Sequence, residues 1–222
     1  MKKLEIACFT NASIQIAFEN GADRIELCDQ MEVGGTTPSI EMVKFASKFN
    51  IPKYIMIRPR GGNFIYSDVE FQIMKKSILE FKNQNINGFV FGLLTEDFQV
   101  DIAKNKELIQ LAHPLPCTFH RAFDQVIEVQ QALEDCISCG FENILTSGTK
   151  KTALEGKEFI KDLIQQANNR IIIMPGGGVR SSNIKELNSF VNSNWYHSAT
   201  ITDGYEIANA KEIQNLKQKL NA

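Results

Sequence analysis

The sequence predicts an α/β protein folded as a single (β/α)8 barrel of the TIM type, and three observations lead there. Short apolar runs that read as strands alternate with longer stretches of helical periodicity, eight of each. No long linker or composition shift divides the 222 residues, so residues 1–222 are expected to form one domain. Many strands carry charged or polar residues on one face. An open, doubly wound sheet covered on both faces would favour apolar strands there. Eight βα units are the number at which a parallel sheet closes on itself.

The elements follow in order. Residues 4–9 read as a first strand, and Asn11 as the cap of a helix that Gly21 closes. Arg24-Ile25-Glu26-Leu27-Cys28 alternates strictly and predicts strand two. Thr37 is a cap and Pro38 suits the first turn of a helix running to about residue 49. Strand three ends in Met56-Ile57-Arg58-Pro59-Arg60-Gly61-Gly62, because Pro59 removes a ladder donor. Ser67 and Glu70 form a capping box that opens a long helix. Asn87-Gly88 reads as a turn before strand four, over 89–94. A helix over 101–112 stops at His113-Pro114, and strand five covers 117–122. Asp124 is expected to cap the next helix, which ends near Gly140. Strand six is expected at 143–147, and Thr152 with Glu155 forms a second capping box for a helix to 167. Strand seven over 170–174, a helix over 182–191, strand eight over 195–201 and a last helix over 205–220 complete the pattern.

Composition narrows the function. Net charge is −2 without a basic block, so no nucleic-acid or anionic-membrane partner is expected. No apolar run approaches the length of a membrane span, and the first residues lack the apolar stretch of a signal peptide. Five cysteines form no disulfide framework, and together these features point to a reducing cytoplasm.

In a barrel the chemistry gathers where strands end. Period-2 alternation puts Met56, Arg58 and Arg60 on one face, and two guanidiniums there call for an anion or a carboxylate. Glu26 on the neighbouring strand offers Arg58 an internal partner, which leaves Arg60 and the glycines freer to meet a ligand. Met174-Pro175-Gly176-Gly177-Gly178-Val179 precedes a helix and suits a phosphate or carboxylate, although a tight turn alone would also need such glycines. His120 and Glu26 are the candidate acid–base residues. Thr146 and His197 stand at strand ends as further candidate ligand contacts. The pair Cys136 and Cys139 falls in the last turn of a helix, where a thiolate gains nothing from the dipole, and reads as coincidence. Cys28 is the candidate soft-metal ligand. The residue types accommodate a small anionic ligand, but they do not name a reaction.

Several phrases together resemble the CutC family, named for copper homeostasis. They are Gly21-Ala22-Asp23-Arg24-Ile25-Glu26-Leu27-Cys28, Glu32-Val33-Gly34-Gly35-Thr36-Thr37-Pro38-Ser39, Ile57-Arg58-Pro59-Arg60-Gly61-Gly62 and Tyr66-Ser67-Asp68. Residues 118–124, 145–148 and 174–179 extend the likeness over nearly the whole chain. The resemblance implies a TIM barrel, a cytoplasmic homo-oligomer, and copper handling by weak or indirect binding. It also implies a thiol two residues after the strand-one glutamate. Here that position is Ala7, and the thiol is at Cys8, on the opposite face.

Overall fold

A computed structural model describes residues 1–221. Eight strands run parallel around the barrel: β1 Lys3–Cys8, β2 Arg24–Leu27, β3 Lys53–Met56, β4 Gly88–Phe91, β5 Cys117–Phe119, β6 Asn143–Thr146, β7 Ile172–Pro175 and β8 Trp195–Ser198. Each is followed by a helix: α1 Asn11–Glu19, α2 Ile40–Ala46, α3 Asp68–Lys82, α4 Ile102–Ala112, α5 Val129–Cys139, α6 Lys157–Ala167, α7 Ile184–Val191 and α8 Ala210–Leu220. Hydrogen-bonded ladders run in the order β7-β6-β5-β4-β3-β2-β1-β8. At the remaining seam side chains bridge the gap. Ser193 Oγ donates to the Ile173 carbonyl at 2.6 Å, and Ser198 Oγ donates to the Val179 carbonyl at 2.7 Å.

Alternation sorts the strands into two faces. Leu4, Ile6, Ile25, Leu27, Ile55, Phe89, Phe91, Phe119, Ile144 and Ile173 are buried outward, against the helices. Each such side chain contributes about 1.5–3 kcal/mol of burial free energy. The register Ala7↔Glu26, Glu5↔His197, Glu26↔Tyr54, Val90↔Thr118 and Thr118↔Asn143 puts the other parity in the lumen. The barrel is therefore apolar outside its wall and largely polar inside it. No helix among the described residues is long and apolar enough to cross a membrane.

Several local expectations are corrected. Thr10, not Asn11, caps α1, and Ser39, not Thr37, caps α2, with Pro38 just before it. Thr37 instead accepts the Arg58 N–H at 2.9 Å and pins the end of β3. Gly88 opens β4 rather than ending a turn, and it is paired with Tyr54, whose ring lies 2.6 Å from where a Cβ would project. Thr152 and Glu155 do bond, but within a turn before α6. Strands four, five and eight stop earlier than predicted, the chain leaving the ladder after Phe91, Phe119 and Ser198. The Ser67–Glu70 capping box forms as expected.

Candidate functional site

The C-terminal ends of the strands surround a cavity of about 810 Å³. Glu26, Cys28, Arg58, His120, Gly177, Gly178 and His197 all line it. Arg60, Thr146 and Gly176 do not. Arg60 lies beyond the last residue of β3, where alternation no longer applies. Its Nε donates to Glu70 at 2.5 Å, and its Nη atoms donate to the carbonyls of Gly61, Asn63 and Ile65. Thr146 shares the outward face of β6 with Ile144, while Leu145 faces the cavity. Thr146 Oγ1 donates to Asp124, which also accepts from Ser147 N at 3.0 Å and from Arg121 Nε at 2.7 Å. Asp124 is thus a clamp between the loops after β5 and β6, not a helix cap. Gly176 makes room for Leu145 and His197, and its N–H is spent on the Thr146 carbonyl at 2.9 Å.

Glu26 does not pair with Arg58. The register Glu26↔Tyr54 places Arg58 four residues further up the barrel, about 13 Å at ~3.3 Å per residue. The buried ion pair of this barrel is Glu5 with Arg24 on the adjacent strand. The Arg24 guanidinium lies 4.0 Å from the Tyr54 ring and 4.1 Å from the Trp195 ring, closing the lumen from below. The second Glu5 oxygen meets His197 Nδ1 at 2.8 Å. His197 Nε2 then faces Glu26 Oε2 at 3.7 Å. Burial pushes Glu5 up, but the Arg24 charge and His197 outweigh it and bring its pKa down to about 2. Burial, reinforced by the Glu5 charge and opposed by His197, raises Glu26 to about 7. Burial lowers the His197 pKa, but its hydrogen bond to Glu5 and the charge of Glu26 raise it by more. Arg24, Glu5, His197 and Glu26 form one chain of titratable groups, and its upper end is poised near neutrality.

On the other side stand Arg58 and His120, each 3% exposed. Arg58 Nη1 donates to the carbonyls of Val33 at 2.7 Å and Gly35 at 2.8 Å, and Nη2 to that of Gly62 at 2.9 Å. Its Nε has no partner, and among the described residues no carboxylate forms an ion pair with it. His120 Nδ1 accepts the Ala122 N–H at 3.3 Å, which assigns the proton to Nε2, and Nε2 has no partner. Burial and then the charge of Arg58 push its pKa down to about 3, so the ring is neutral. Near the seam, no hydrogen bond among the described residues uses the N–H groups of Gly177 and Gly178. Both have positive φ, +94° and +71°.

Metal binding can be judged from the donor set. Glu5, Glu26 and His197 offer ligand atoms within 4.8 Å of one another. Glu5 is already committed to Arg24 and His197, and a cation there would have to compete with the guanidinium. Cys8 is buried in the outer core with its Sγ 3.6 Å from the Ile6 carbonyl, and Ala7 is the residue that faces the cavity. Cys28 alone brings a thiol to the mouth. Burial and the neighbouring Glu26 carboxylate push that thiol well above its usual range. A single protonated thiol beside a carboxylate does not fit a two-thiolate Cu(I) site. Cys136 and Cys139 are both buried in the last turn of α5 and do not line the cavity.

Glu5 and Arg24 are the site residues that sequence reasoning did not bring together. Their parity with Ala7 and Glu26 was visible in the alternation, and what the alternation lacks is the register.

Comparison with known proteins agrees with this architecture. Residues 2–202 match the profile of the CutC family. The copper homeostasis protein cutC homolog of Homo sapiens is 45% identical over 185 residues, 83% of this chain and 68% of that protein. A family protein CutC of Chromobacterium violaceum is 45% identical over 187 residues, 84% of this chain and 76% of that protein. The crystal structure of a CutC protein from Streptococcus agalactiae superposes with a TM-score of 0.86 at 33% identity, covering 91% of this chain and all of that one. With a matching profile over nine-tenths of its length and an eight-stranded parallel barrel to go with it, the chain belongs to the CutC family.

Proposed function

We propose that the C-terminal mouth of the barrel is an acid–base catalytic site for a small anionic ligand, phosphorylated or carboxylated. The observation that carries this reading is Arg58, a buried guanidinium with no carboxylate partner, facing a cavity of about 810 Å³. Such a cation is costly unless an anion meets it. Glu26 and His197 act as the proton-transferring pair, with Glu5 and Arg24 holding His197 in place. Gly177 and Gly178 offer free N–H groups to the anionic group. Thermal shift against a panel of phosphorylated and carboxylated metabolites tests the reading. A ligand at a hundred times its Kd stabilises by about 2.7 kcal/mol, which raises Tm by roughly 5–10 °C in a domain of this size. The hit is expected to vanish in Arg58→Met; a panel without such a hit contradicts the reading.

Copper handling is the second reading. It is favoured by the names of the relatives and by the Cys28 thiol at the mouth. In this reading the chain serves copper homeostasis in the cytoplasm, as a homo-oligomer, and binds copper weakly at Cys28 or acts indirectly. The five free cysteines are consistent with a reducing compartment. A Cu(I) competition titration separates the two routes. Direct ligation predicts that Cys28→Ala weakens Cu(I) binding at least tenfold, and equal weak binding in both proteins leaves only an indirect role.

A further inference from the structure

We infer that the loops after β6 and β7 form a phosphate subsite, and that Arg180 is the residue that selects a doubly charged phosphate there over a carboxylate. This rests on the anion-site reading above and names its substrate class: a short-chain phosphate monoester.

Charge is divided across the mouth. Glu26 and Glu32 line the cavity from β2 and the loop that follows it, whereas Arg121, Lys150 and Arg180 line it from the loops after β5, β6 and β7. Asp124 also lines the basic side, but it is already committed. It accepts from Thr146 Oγ1, from the N–H groups of Ser147 and Thr149, and from Arg121 Nε. Among the described residues neither Lys150 nor Arg180 forms an ion pair.

The donors gather at Gly177 and Gly178. Both line the cavity, Gly178 exposed and Gly177 half-buried, with their N–H groups free. Arg121 Nη2 donates to Ser147 Oγ at 2.8 Å, and its Nη1 lies 3.4 Å from where a Cβ on Gly177 would project. Arg180 follows Gly178 by two residues. Its Nη1 donates to the Val179 carbonyl at 2.8 Å and to Ser198 Oγ at 3.1 Å, and its Nη2 donates to the Ile201 carbonyl at 3.1 Å. These bonds anchor the guanidinium at the seam between β7 and β8. Among the described residues Arg180 Nε has no hydrogen bond, and unlike Arg58 Nε it keeps open surface.

The donor set distinguishes between anions. A phosphate monoester carries about −1.5 to −2 charge at pH 7 and three strong acceptor oxygens. A carboxylate carries one charge on two coplanar oxygens. Here the donors come from separate loops, not as the planar fork that a carboxylate matches. A dianion neutralises both Lys150 and Arg180, and a carboxylate only one of them. The distance to the acid–base pair is short. The position of the missing Gly176 Cβ is 3.3 Å from His197 Cβ, so these two residues stand at one level of the barrel. Gly178 lies two residues beyond, at most about 7 Å further along the chain. A short carbon chain therefore spans from a phosphate there to His197 and Glu26.

Isothermal titration with glycerol 3-phosphate and with 3,4-dihydroxybutyrate, which carries a carboxylate in place of the phosphate, tests the inference. Wild type is expected to bind the phosphate at least tenfold more tightly. In Arg180→Met the ratio should approach one, with affinity for the carboxylate changed by less than threefold. Lys150→Gln, a change at an exposed side chain, should weaken binding of the phosphate alone by about threefold, and it keeps the test open where Arg180→Met fails to fold. In the 15N–1H spectrum of wild type, the Gly177 and Gly178 amide protons should move downfield with glycerol 3-phosphate. Equal affinity for the two compounds, or loss of both alike in Arg180→Met, overturns the inference and leaves the anion site intact. Binding that leaves both glycine amides unmoved overturns it too. With no binding of either compound the inference falls, and the reading beneath it falls as well only when the metabolite panel yields no hit that is lost in Arg58→Met.

Discussion

Replacing Arg24 with methionine is expected to destabilise the fold by about 3–5 kcal/mol, the range for removing one partner of a buried ion pair. Met cannot neutralise Glu5, which stays buried with only His197 beside it. The loss is read by urea denaturation at pH 7. Restoring an apolar pair with Arg24→Met and Glu5→Leu together should recover much of it, because a buried pair is close to neutral against well-packed apolar residues. The acid limb of stability changes as well. Glu5 has a folded pKa of about 2 against an ordinary 4.5, so its contribution is complete above pH 4.5 and is lost as pH falls towards 2. Arg24→Met should flatten that limb, since Arg24 is the largest cause that lowers Glu5. A variant as stable as wild type at pH 7, with an unchanged acid limb, contradicts the role assigned to the pair.

Glu26→Gln is expected to act in the opposite sense. The folded pKa of Glu26 is about 7 against an ordinary 4.5, so the folded protein keeps a proton that the unfolded chain releases. Stability from this group is complete below pH 4.5 and declines as pH rises to about 7, by about 3 kcal/mol at ~1.36 kcal/mol per unit. His197 adds to the same slope: its pKa is raised above 6.5, so its contribution is present below that value and is lost as pH rises through the folded pKa. The Gln variant should therefore be more stable than wild type at pH 8 and lose the gap at pH 5. It should also lose any acid–base activity at the mouth. Calorimetric Tm values at the two pH values decide it: equal differences at pH 5 and 8 contradict an ionising Glu26.

Much of this barrel was legible in the alternation of its short strands. Arg24-Ile25-Glu26-Leu27 announces one apolar and one polar face, and the structure assigns the first to the helices and the second to the lumen. Alternation stops being informative where a strand stops. Arg60 lies four residues beyond Met56, after Pro59, and a loop carries it to Glu70. Thr146 went astray for a different reason: Ile144, two residues earlier, must face the helices, so Thr146 must too. Pairings across strands depend on stagger, which a single sequence does not express. Two inward residues on adjacent strands, Glu26 and Arg58, belong to different levels of the barrel, whereas Glu5 and His197 meet only because β1 and β8 are neighbours once the barrel closes. The unpartnered donors of His120 and Arg58 are tertiary facts, visible only when the lumen is assembled around Phe64.

The central claim is that the mouth holds a carboxyl group poised for proton transfer, with His197 Nε2 facing it at 3.7 Å. A carbon-13 NMR titration of the Glu26 side chain in the intact protein tests it most directly. A midpoint near 7 that moves in His197→Gln is the predicted result. A midpoint near 4.5, unmoved by that substitution, would contradict it.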